Sequence, residues 1–172
     1  MQAGKMKFHV GDWVVHAFYG IGKIIDQEKM KLSGKAQTFF TVKLKDGRYW
    51  LSKEKSQADH IRPLSSQKDF ASALREIEKA PQALSRQYRS RKKEILDAVE
   101  EGALLNHVRL IRDLNGRKHR KKLNFEERNW LAKLKKQFIR EWSLVSGKKK
   151  STLKRELNFA LNTSLKKSKE KE

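Results

Sequence analysis

The 172-residue sequence contains no cysteine and only two prolines. Without cysteine the chain has no disulfide bond, no thiolate metal site and no cysteine nucleophile, and this composition fits a reducing cytoplasm. No run of about 18 apolar residues is present, which excludes a membrane-spanning helix. Residues 1–7 lack the apolar stretch of a signal peptide. We therefore expect a cytoplasmic protein without a membrane partner.

Acidic residues are also scarce. The sequence has 20 Asp/Glu against 41 Lys/Arg, which gives a formal net charge of +21. A balance this basic indicates an anionic partner, with nucleic acid first and an anionic membrane surface second. Residues 1–65 carry 12 Lys/Arg and 6 Asp/Glu, whereas residues 66–172 carry 29 and 14. Nucleic-acid contact is therefore expected mainly in the second segment.

Patterns typical of catalysis or metal binding are missing as well. The histidines show no metal-ligand spacing and no His-Glu-x-x-His helix. Gly20-Ile21-Gly22 lacks the third glycine of a dinucleotide loop, and no Gly-Lys-Ser/Thr phosphate loop occurs. A hydrolase acting on nucleic acid would need a metal-binding carboxylate cluster, and the sequence contains none. We expect no enzymatic activity, no catalytic residues, no metal and no cofactor.

The first third of the sequence predicts a small, strongly bent β-barrel. Ser33-Gly34 and Asp46-Gly47 are typical turn pairs, and Asp-Gly between apolar runs is a strong hairpin signal. Pro63 disfavours helix at Arg62, so residues 60–64 are expected to leave the barrel as an extended segment. The predicted strands, rich in β-branched and aromatic residues, are Asp12–Ala17, Gly22–Met30, Gln37–Leu44 and Arg48–Ser52.

From Ser66 onward the apolar residues recur at helical spacing. Ser66 with Asp69, and Asn124 with Glu127, are typical of helix N-terminal caps. Pro81 suits the first turn of a second helix, and Asn115-Gly116 suits the end of a third. Four of the expected helices begin at Ser66, Pro81, Asn124 and Ser151, and the third of the five carries Leu104, Val108 and Ile111. Residues 117–122 are expected to form a basic loop.

The predicted fold class is therefore α+β. Residues 1–65 form a small Tudor- or SH3-like β-barrel, and residues 66–172 form a compact bundle of about five helices. A short extended joint near residues 62–66 separates the two predicted domains.

Two basic clusters dominate the second segment, and few acids interrupt them. Helical residues three and four apart share a face, so Arg86, Arg89 and Lys93 are expected to align toward one phosphate strand. A merely solvated basic face is the alternative. The cluster on the predicted second helix comprises Arg86, Arg89, Arg91, Lys92 and Lys93 with Tyr88 among them, and the cluster at the predicted loop comprises Arg112, Arg117, Lys118, Arg120, Lys121 and Lys122.

Several segments together resemble one protein family. Phe8-His-Val-Gly-Asp-Trp-Val-Val-His16 followed by Gly20-Ile-Gly-Lys-Ile24 resembles the opening of the CarD/CdnL family of bacterial transcription regulators. The same module forms the RNA-polymerase-interacting domain of the transcription-repair coupling factor. The resemblance runs from about Phe8 to about Leu165 and continues through Ile61–Leu64, Leu84–Arg89, Arg112–Leu114, Leu123–Glu127 and Glu141.

This resemblance implies a non-catalytic regulator that stabilises the open promoter complex. The barrel of such proteins binds the RNA polymerase β subunit, largely by edge-strand pairing. The helical domain contacts the minor groove and phosphates of promoter DNA with low sequence specificity. The polymerase-facing surface corresponds to Met30, Lys31, Arg48 and Trp50, and family arginines fall at about Met30 and Trp50, so a more apolar contact is expected. A nucleoid-associated monomer is implied.

Leu84 stands where the family has a tryptophan that wedges into the minor groove and slows bubble collapse. Leucine can also act as a wedge, but it offers less area and a weaker grip. The alternative is that Leu84 is simply buried with Tyr88. A second functional hypothesis needs only charge: a general basic nucleic-acid-binding protein of the architectural or ribosome-associated type.

Overall fold

The computed structural model describes residues 7–57 and 60–169. These residues form five antiparallel strands followed by five helices, which confirms the predicted α+β class. The chain divides into two compact units, Met1–Leu64 and Ser65–Glu172, named here the β unit and the helical unit. Each unit has its own apolar core. None of the described helices is long and apolar enough to cross a membrane.

The β unit is a single twisted sheet with the strand order β4-β3-β2-β1-β5, so β4 and β5 are its edges. A short 3-10 helix, Lys55–Gln57, lies between β4 and β5 in the chain. The strands are β1 (Trp13–His16), β2 (Gly20–Leu32), β3 (Lys35–Leu44), β4 (Gly47–Ser52) and β5 (Ile61–Pro63).

The prediction that residues 60–64 leave the barrel is wrong for residues 61–63. These residues pair with β1 as strand β5. Proline lacks an amide donor, and Pro63 is tolerated because β5 is an edge strand. The extended conformation expected before Pro63 is correct, since Ile61 and Arg62 both lie in the ladder.

The sheet bends within β2. The pairing of β2 with β3 shifts register between Ile24 and Asp26, and such a bulge bends the strand and increases its twist. A Cβ atom on Gly22 would overlap the Val42 side chain, so only glycine permits this approach of β2 to β3. The bend lets the sheet curl around a core of Phe8, Val14, Ile24, Phe40, Val42, Leu51 and Ile61.

The helical unit buries one apolar stripe from each helix in a common core. Capping boxes at Ser66 and Asn124 begin α1 and α4, as predicted, and Gly147 ends α4 with φ +70°. The helices are α1 (Gln67–Ile77), α2 (Tyr88–Glu100), α3 (Leu104–Arg120), α4 (Phe125–Ser146) and α5 (Lys150–Lys169).

Three predicted helix boundaries are wrong. The second helix begins at Tyr88 and not at Pro81, and α3 continues through Asn115 and Gly116 to Arg120. The first two errors have one physical reason, because Pro81 and Gly116 contact each other. A Cβ on Gly116 would lie 2.5 Å from Cβ of Pro81. Gly116 therefore makes room for the proline ring and does not end a helix. The last helix begins at Lys150, one residue before Ser151.

Candidate nucleic-acid and polymerase interfaces

Residues 78–87 join α1 to α2 without regular secondary structure, and this segment is called the α1–α2 connection. Its backbone groups bind side chains of other elements. The amide of Gln82 donates to Asp113 Oδ1 at 2.8 Å, and the hydroxyl of Ser164 donates to the carbonyl of Lys79 at 2.7 Å. These contacts, from α3 and α5, give the connection a fixed conformation that its own sequence does not dictate.

Arg91, on α2, binds the end of the same connection. Its Nη1 atom donates to the carbonyls of Ser85 and Arg86 at 2.8 and 3.0 Å, and its Nε atom donates to Glu127 Oε1 at 2.5 Å. The amide of Ser85 donates in turn to Glu94 at 3.1 Å. Arg91 is therefore buried and does not face solvent with the other cations of its predicted cluster. Its guanidinium instead joins the connection to the start of α4.

Glu127 is the acidic partner in this network and is itself part of the α4 cap. It accepts from the amide of Asn124 at 3.0 Å, and Nε of Arg117 lies 3.4 Å from its carboxylate. Burial raises the pKa of the Glu127 carboxyl, but the hydrogen bonds from Arg91 and Asn124 and the charge of Arg117 outweigh burial, so the net pKa is lowered. The carboxylate is therefore charged and fixes Arg91.

A second buried ion pair lies between α1 and α3, and it contains Arg112, which was predicted in the second basic cluster but is buried within α3. Arg112 donates to both carboxylate oxygens of Asp113 at 2.7 and 3.2 Å and to Glu76 Oε1 at 3.1 Å. The hydrogen bond from Lys79, followed by that from Arg109, lowers the pKa of Glu76 to about 2 despite the opposing effect of burial. Because Asp113 also accepts from the connection, this pair helps to hold that segment.

These contacts change the predicted DNA-facing surface. Arg86 lies in the connection and not on α2, so the predicted helical alignment of Arg86 with Arg89 and Lys93 is wrong. Arg89 and Lys93 remain one turn apart on α2, and the side chains of all three residues are exposed. Arg86 precedes α2 by two residues, and Arg91 holds its carbonyl in place.

Tyr88 and Lys92 are also exposed, and one carboxylate holds both. The Tyr88 hydroxyl donates to Glu126 Oε2 at 2.8 Å, and Lys92 Nζ donates to Oε1 at 2.9 Å. These hydrogen bonds, first from Lys92 and then from Tyr88, lower the pKa of Glu126, and the same contacts raise the pKa of Lys92 and of Tyr88. The two predicted contact residues therefore meet at an acid on α4.

The second predicted basic cluster is mostly helical. Arg117, Lys118 and Arg120 lie in the last turn of α3, and Lys121 follows it, so the predicted basic loop is wrong up to Arg120. Arg117 is half-buried and bound to Glu127, whereas the other three are exposed. Cations in a last helical turn interact favourably with the helix dipole, which explains the extra turn.

Two further lysines belong with this cluster and were missed. Burial lowers the pKa of Lys135, and the positive charges of Lys118 and Lys154 lower it further. The three lysines thus come together from α4, α3 and α5 into one cationic surface. Because the three lysines are far apart in the chain, no local sequence pattern predicts this surface. Only the shortage of acids in residues 66–172 indicated it.

Leu84 lies in the connection, ahead of α2, and is half-buried against the helical core. The prediction of a helix that begins at Pro81 and contains Leu84 is therefore wrong. Its packing supports the interpretation of Leu84 as a core residue, while its remaining exposed part leaves room for contact with a partner.

The residues predicted to face polymerase lie at two places. Arg48 and Trp50 are exposed on the edge strand β4, and Trp50 Nε1 donates to Glu28 Oε1 at 3.1 Å. Met30 and Lys31 lie near the β2–β3 turn, where Met30 pairs with Gln37. Trp50 pairs with Thr41, four residues along β3, or about 13 Å from that register. The Trp50 side chain nevertheless reaches Glu28, which lies two residues before Met30 on the same face of β2.

Two family models match the chain. The model described as CarD-like/TRCF RID domain matches residues 8–65, and the model described as CarD, C-terminal domain matches residues 72–158, just over half of the chain. No curated protein shows significant similarity to the sequence. Matches of this kind define a transcription-related protein that interacts with RNA polymerase, built from regulatory domains.

The chain belongs to the CarD/CdnL family, as the sequence resemblance indicated. The matched module has a Tudor-like fold, so the curled five-stranded sheet confirms the predicted fold of the β unit.

Proposed function

We propose that this protein binds the RNA polymerase β subunit through the β unit, contacts promoter DNA through the helical unit, and so stabilises the open promoter complex. Family membership supports the transcriptional role. The observation that carries the DNA contact is the basic face formed by the connection and α2, whose exposed cations are Arg86, Arg89 and Lys93.

The chemistry of this face suits phosphate and not base recognition. Arginine and lysine bind phosphates without reading sequence, and such contacts set the position of a protein on the duplex. Because buried side chains fix the connection, Arg86 loses little further backbone entropy on binding. A pre-organised cationic face is what a sequence-tolerant promoter contact requires.

Strand β4 supports the polymerase contact. It pairs with β3 on one side only, so its other side offers backbone donors and acceptors to a partner strand. Trp50 is 53% exposed beside this edge, and tryptophan is enriched among residues that dominate interface energies. We assign the main polymerase contact to Arg48 and Trp50, with Met30 and Lys31 at its margin.

The test is an open-complex lifetime with purified polymerase, measured after a competitor challenge. The native protein is expected to lengthen the lifetime. Trp50→Glu should abolish retention by polymerase, whereas the double variant Arg89→Glu, Lys93→Glu should be retained but should lose the effect on lifetime. Ile25→Glu, at an exposed apolar position on the inner strand β2, is the control. No retention and no change in lifetime for the native protein would refute the proposal.

The second candidate function is general nucleic-acid binding of the architectural or ribosome-associated type. The cationic surface of Lys118, Lys135 and Lys154 favours it, because this surface extends beyond the α2 face. The retention experiment separates the two functions, since a charge-only binder needs no polymerase and is insensitive to Trp50→Glu.

A further inference from the structure

A groove of about 220 Å³ lies between α2 and the first half of α4. Tyr88 and Trp130 contribute aromatic surface, Ile95 and Leu96 contribute apolar surface, and Glu126 contributes a carboxylate. A second hollow of about 260 Å³ shares Trp130 and Glu126 and is bordered by Lys133. Trp130 therefore stands between two open spaces.

The groups around this groove combine three chemical features. The first is π surface, supplied by Tyr88, which is 49% exposed, and by Trp130. The second is positive charge, because Lys92 lines the groove and Lys133 Nζ lies 4.9 Å from the Trp130 ring centroid. The third is a hydrogen-bond acceptor, the exposed carboxylate of Glu126, to which Tyr88 and Lys92 donate.

This combination complements one class of ligand. A nucleobase stacks on aromatic rings, its flanking phosphates need cations, and a carboxylate accepts from the exocyclic amine of cytosine. A duplex hides the faces of its bases, so a groove of this kind selects an unpaired base. An acidic peptide brings anionic groups for the lysines but no base that stacks on the aromatic rings.

The groove is continuous with the proposed DNA face. Arg89 and Lys92 are three residues apart on α2, and Lys93 follows, so a backbone bound to Arg89 and Lys93 passes beside the groove. Glu127, which also lines the groove, holds Arg91 and through it the connection that carries Arg86. The groove and the basic face are thus joined by α2 and by the contacts of Arg91.

We propose that this groove holds one unpaired base of the single DNA strand at the edge of the melted promoter, with cytosine favoured. The proposal rests on the function proposed above. The base stacks against Tyr88 and Trp130, Glu126 accepts from its exocyclic amine, and Lys92 and Lys133 bind the flanking phosphates.

The test uses the full-length protein without polymerase and three fluorescent probes of equal length: oligodeoxycytidine, oligothymidine and a duplex. The native protein is expected to bind the cytidine probe more tightly than the thymidine probe. Trp130→Ala should weaken binding of both single strands about 5- to 150-fold, the range for loss of one stacked base. Its affinity for the duplex should not change. Glu126→Gln should remove the preference for cytidine.

Matched variants keep the test decisive. Phe159→Ala removes an aromatic ring that is 71% exposed on α5 and should change no affinity. Trp130→Phe keeps a ring in place and should retain single-strand binding. If Trp130→Ala fails to fold, Tyr88→Ala removes the exposed wall of the groove and is expected to give the same selective loss.

Two results in a folded Trp130→Ala or Tyr88→Ala variant would overturn the proposal that the groove binds an unpaired base. One is equal weakening of single-strand and duplex binding, and the other is no weakening of either. Tighter binding of an oligoribocytidine than of its DNA counterpart would overturn the assignment to promoter DNA. Because no polymerase is present, these results are independent of the retention experiment. If the protein stabilises open complexes but its groove variants show no selective loss of single-strand affinity, the proposed function is correct and the groove does not bind a base.

Discussion

The two units bury different kinds of side chain. Within the described part of the β unit the buried polar residues are His16, Thr41 and Ser56. His16 Nδ1 accepts from the amides of Phe18 and Tyr19 at 3.1 and 3.3 Å, so this nitrogen carries no proton. The helical unit, by contrast, buries charged types: Arg91, Arg112, Asp113, Glu127 and Glu141.

The difference shows how each unit fixes its geometry. In the β unit, backbone ladders set the register of every strand. In the helical unit, the α1–α2 connection has no ladder, and buried ion pairs take that role. Such pairs add little net stability compared with apolar residues, but removing one partner leaves an uncompensated buried charge. We therefore expect the stability of the helical unit to depend on single buried charged side chains, and the stability of the β unit not to depend on any such residue.

Removing the most buried guanidinium should have the largest effect. Arg112→Met leaves Asp113 buried without its partner and should lower the free energy of unfolding of the helical unit by about 3–5 kcal/mol. Native-state hydrogen exchange resolved by segment measures this loss, and protection in β1–β4 should stay unchanged. Arg109→Met, which breaks a half-exposed pair with the same Glu76, is the control and should cost at most about 1 kcal/mol. Equal losses in the two variants would contradict the comparison.

Truncation of Leu84 should have a smaller effect on the stability of the helical unit. Since the side chain is half-buried, Leu84→Ala should cost about 1–2 kcal/mol of stability. Melting curves of this variant and of Leu84→Trp, together with their open-complex lifetimes, separate a core residue from a wedge. A shorter lifetime for Leu84→Ala at unchanged stability, with a longer lifetime for Leu84→Trp, would show that the core interpretation is wrong.

Acid should affect the helical unit through Glu76. Its pKa in the folded chain, about 2, lies below its ordinary value of 4.5, so its contribution to stability is complete above pH 4.5 and is lost as pH falls toward 2. The expected loss is on the order of 1 kcal/mol, since the carboxylate is partly solvated through Lys79 and Arg109. Unfolding titrations at stepped pH measure it. Glu76→Gln should flatten the plot of unfolding free energy against pH between pH 4.5 and 2. An unchanged plot would show that Glu76 does not cause the loss of stability in acid.

The smallest effect on stability is expected from the exposed cations. Replacing Arg86, Arg89 and Lys93 together by glutamine should change the free energy of unfolding by less than about 0.5 kcal/mol per site. The same change should flatten the plot of log K for duplex DNA against log salt by roughly two to three units. The control removes three exposed lysines of the β unit, Lys23, Lys29 and Lys43, and should leave the slope unchanged. Similar slopes for both variants would mean that only net charge matters.

Local signals in the sequence predicted much of the fold. Ser66 with Asp69 and Asn124 with Glu127 marked helix starts correctly, because a cap depends on residues three apart in the chain. Asp46-Gly47 marked the β3–β4 turn, where Gly47 has φ +126°. Features determined within one turn or one hairpin were therefore available from the sequence.

The larger errors involve partners far apart in the chain. Pro81 and Gly116 each carry a local signal for a helix boundary, but they contact each other across 35 positions and lose that meaning. The groove has the same origin, because Tyr88 and Trp130 come from different helices. Lys135 and Lys154 were missed for this reason too. The basic character of the helical unit was predictable from composition, but the arrangement of its contact residues was not.

The anchoring of the α1–α2 connection has a consequence for the time order of folding. The bond from Ser164 to Lys79 spans 85 residues, and that from Gln82 to Asp113 spans 31. Long loops must close before such contacts form, so the full set of contacts that holds the connection is complete only after α5 has docked. During synthesis the β unit emerges first and can fold while the helical unit is incomplete. A nascent chain therefore acquires the surface proposed for polymerase well before the one proposed for DNA.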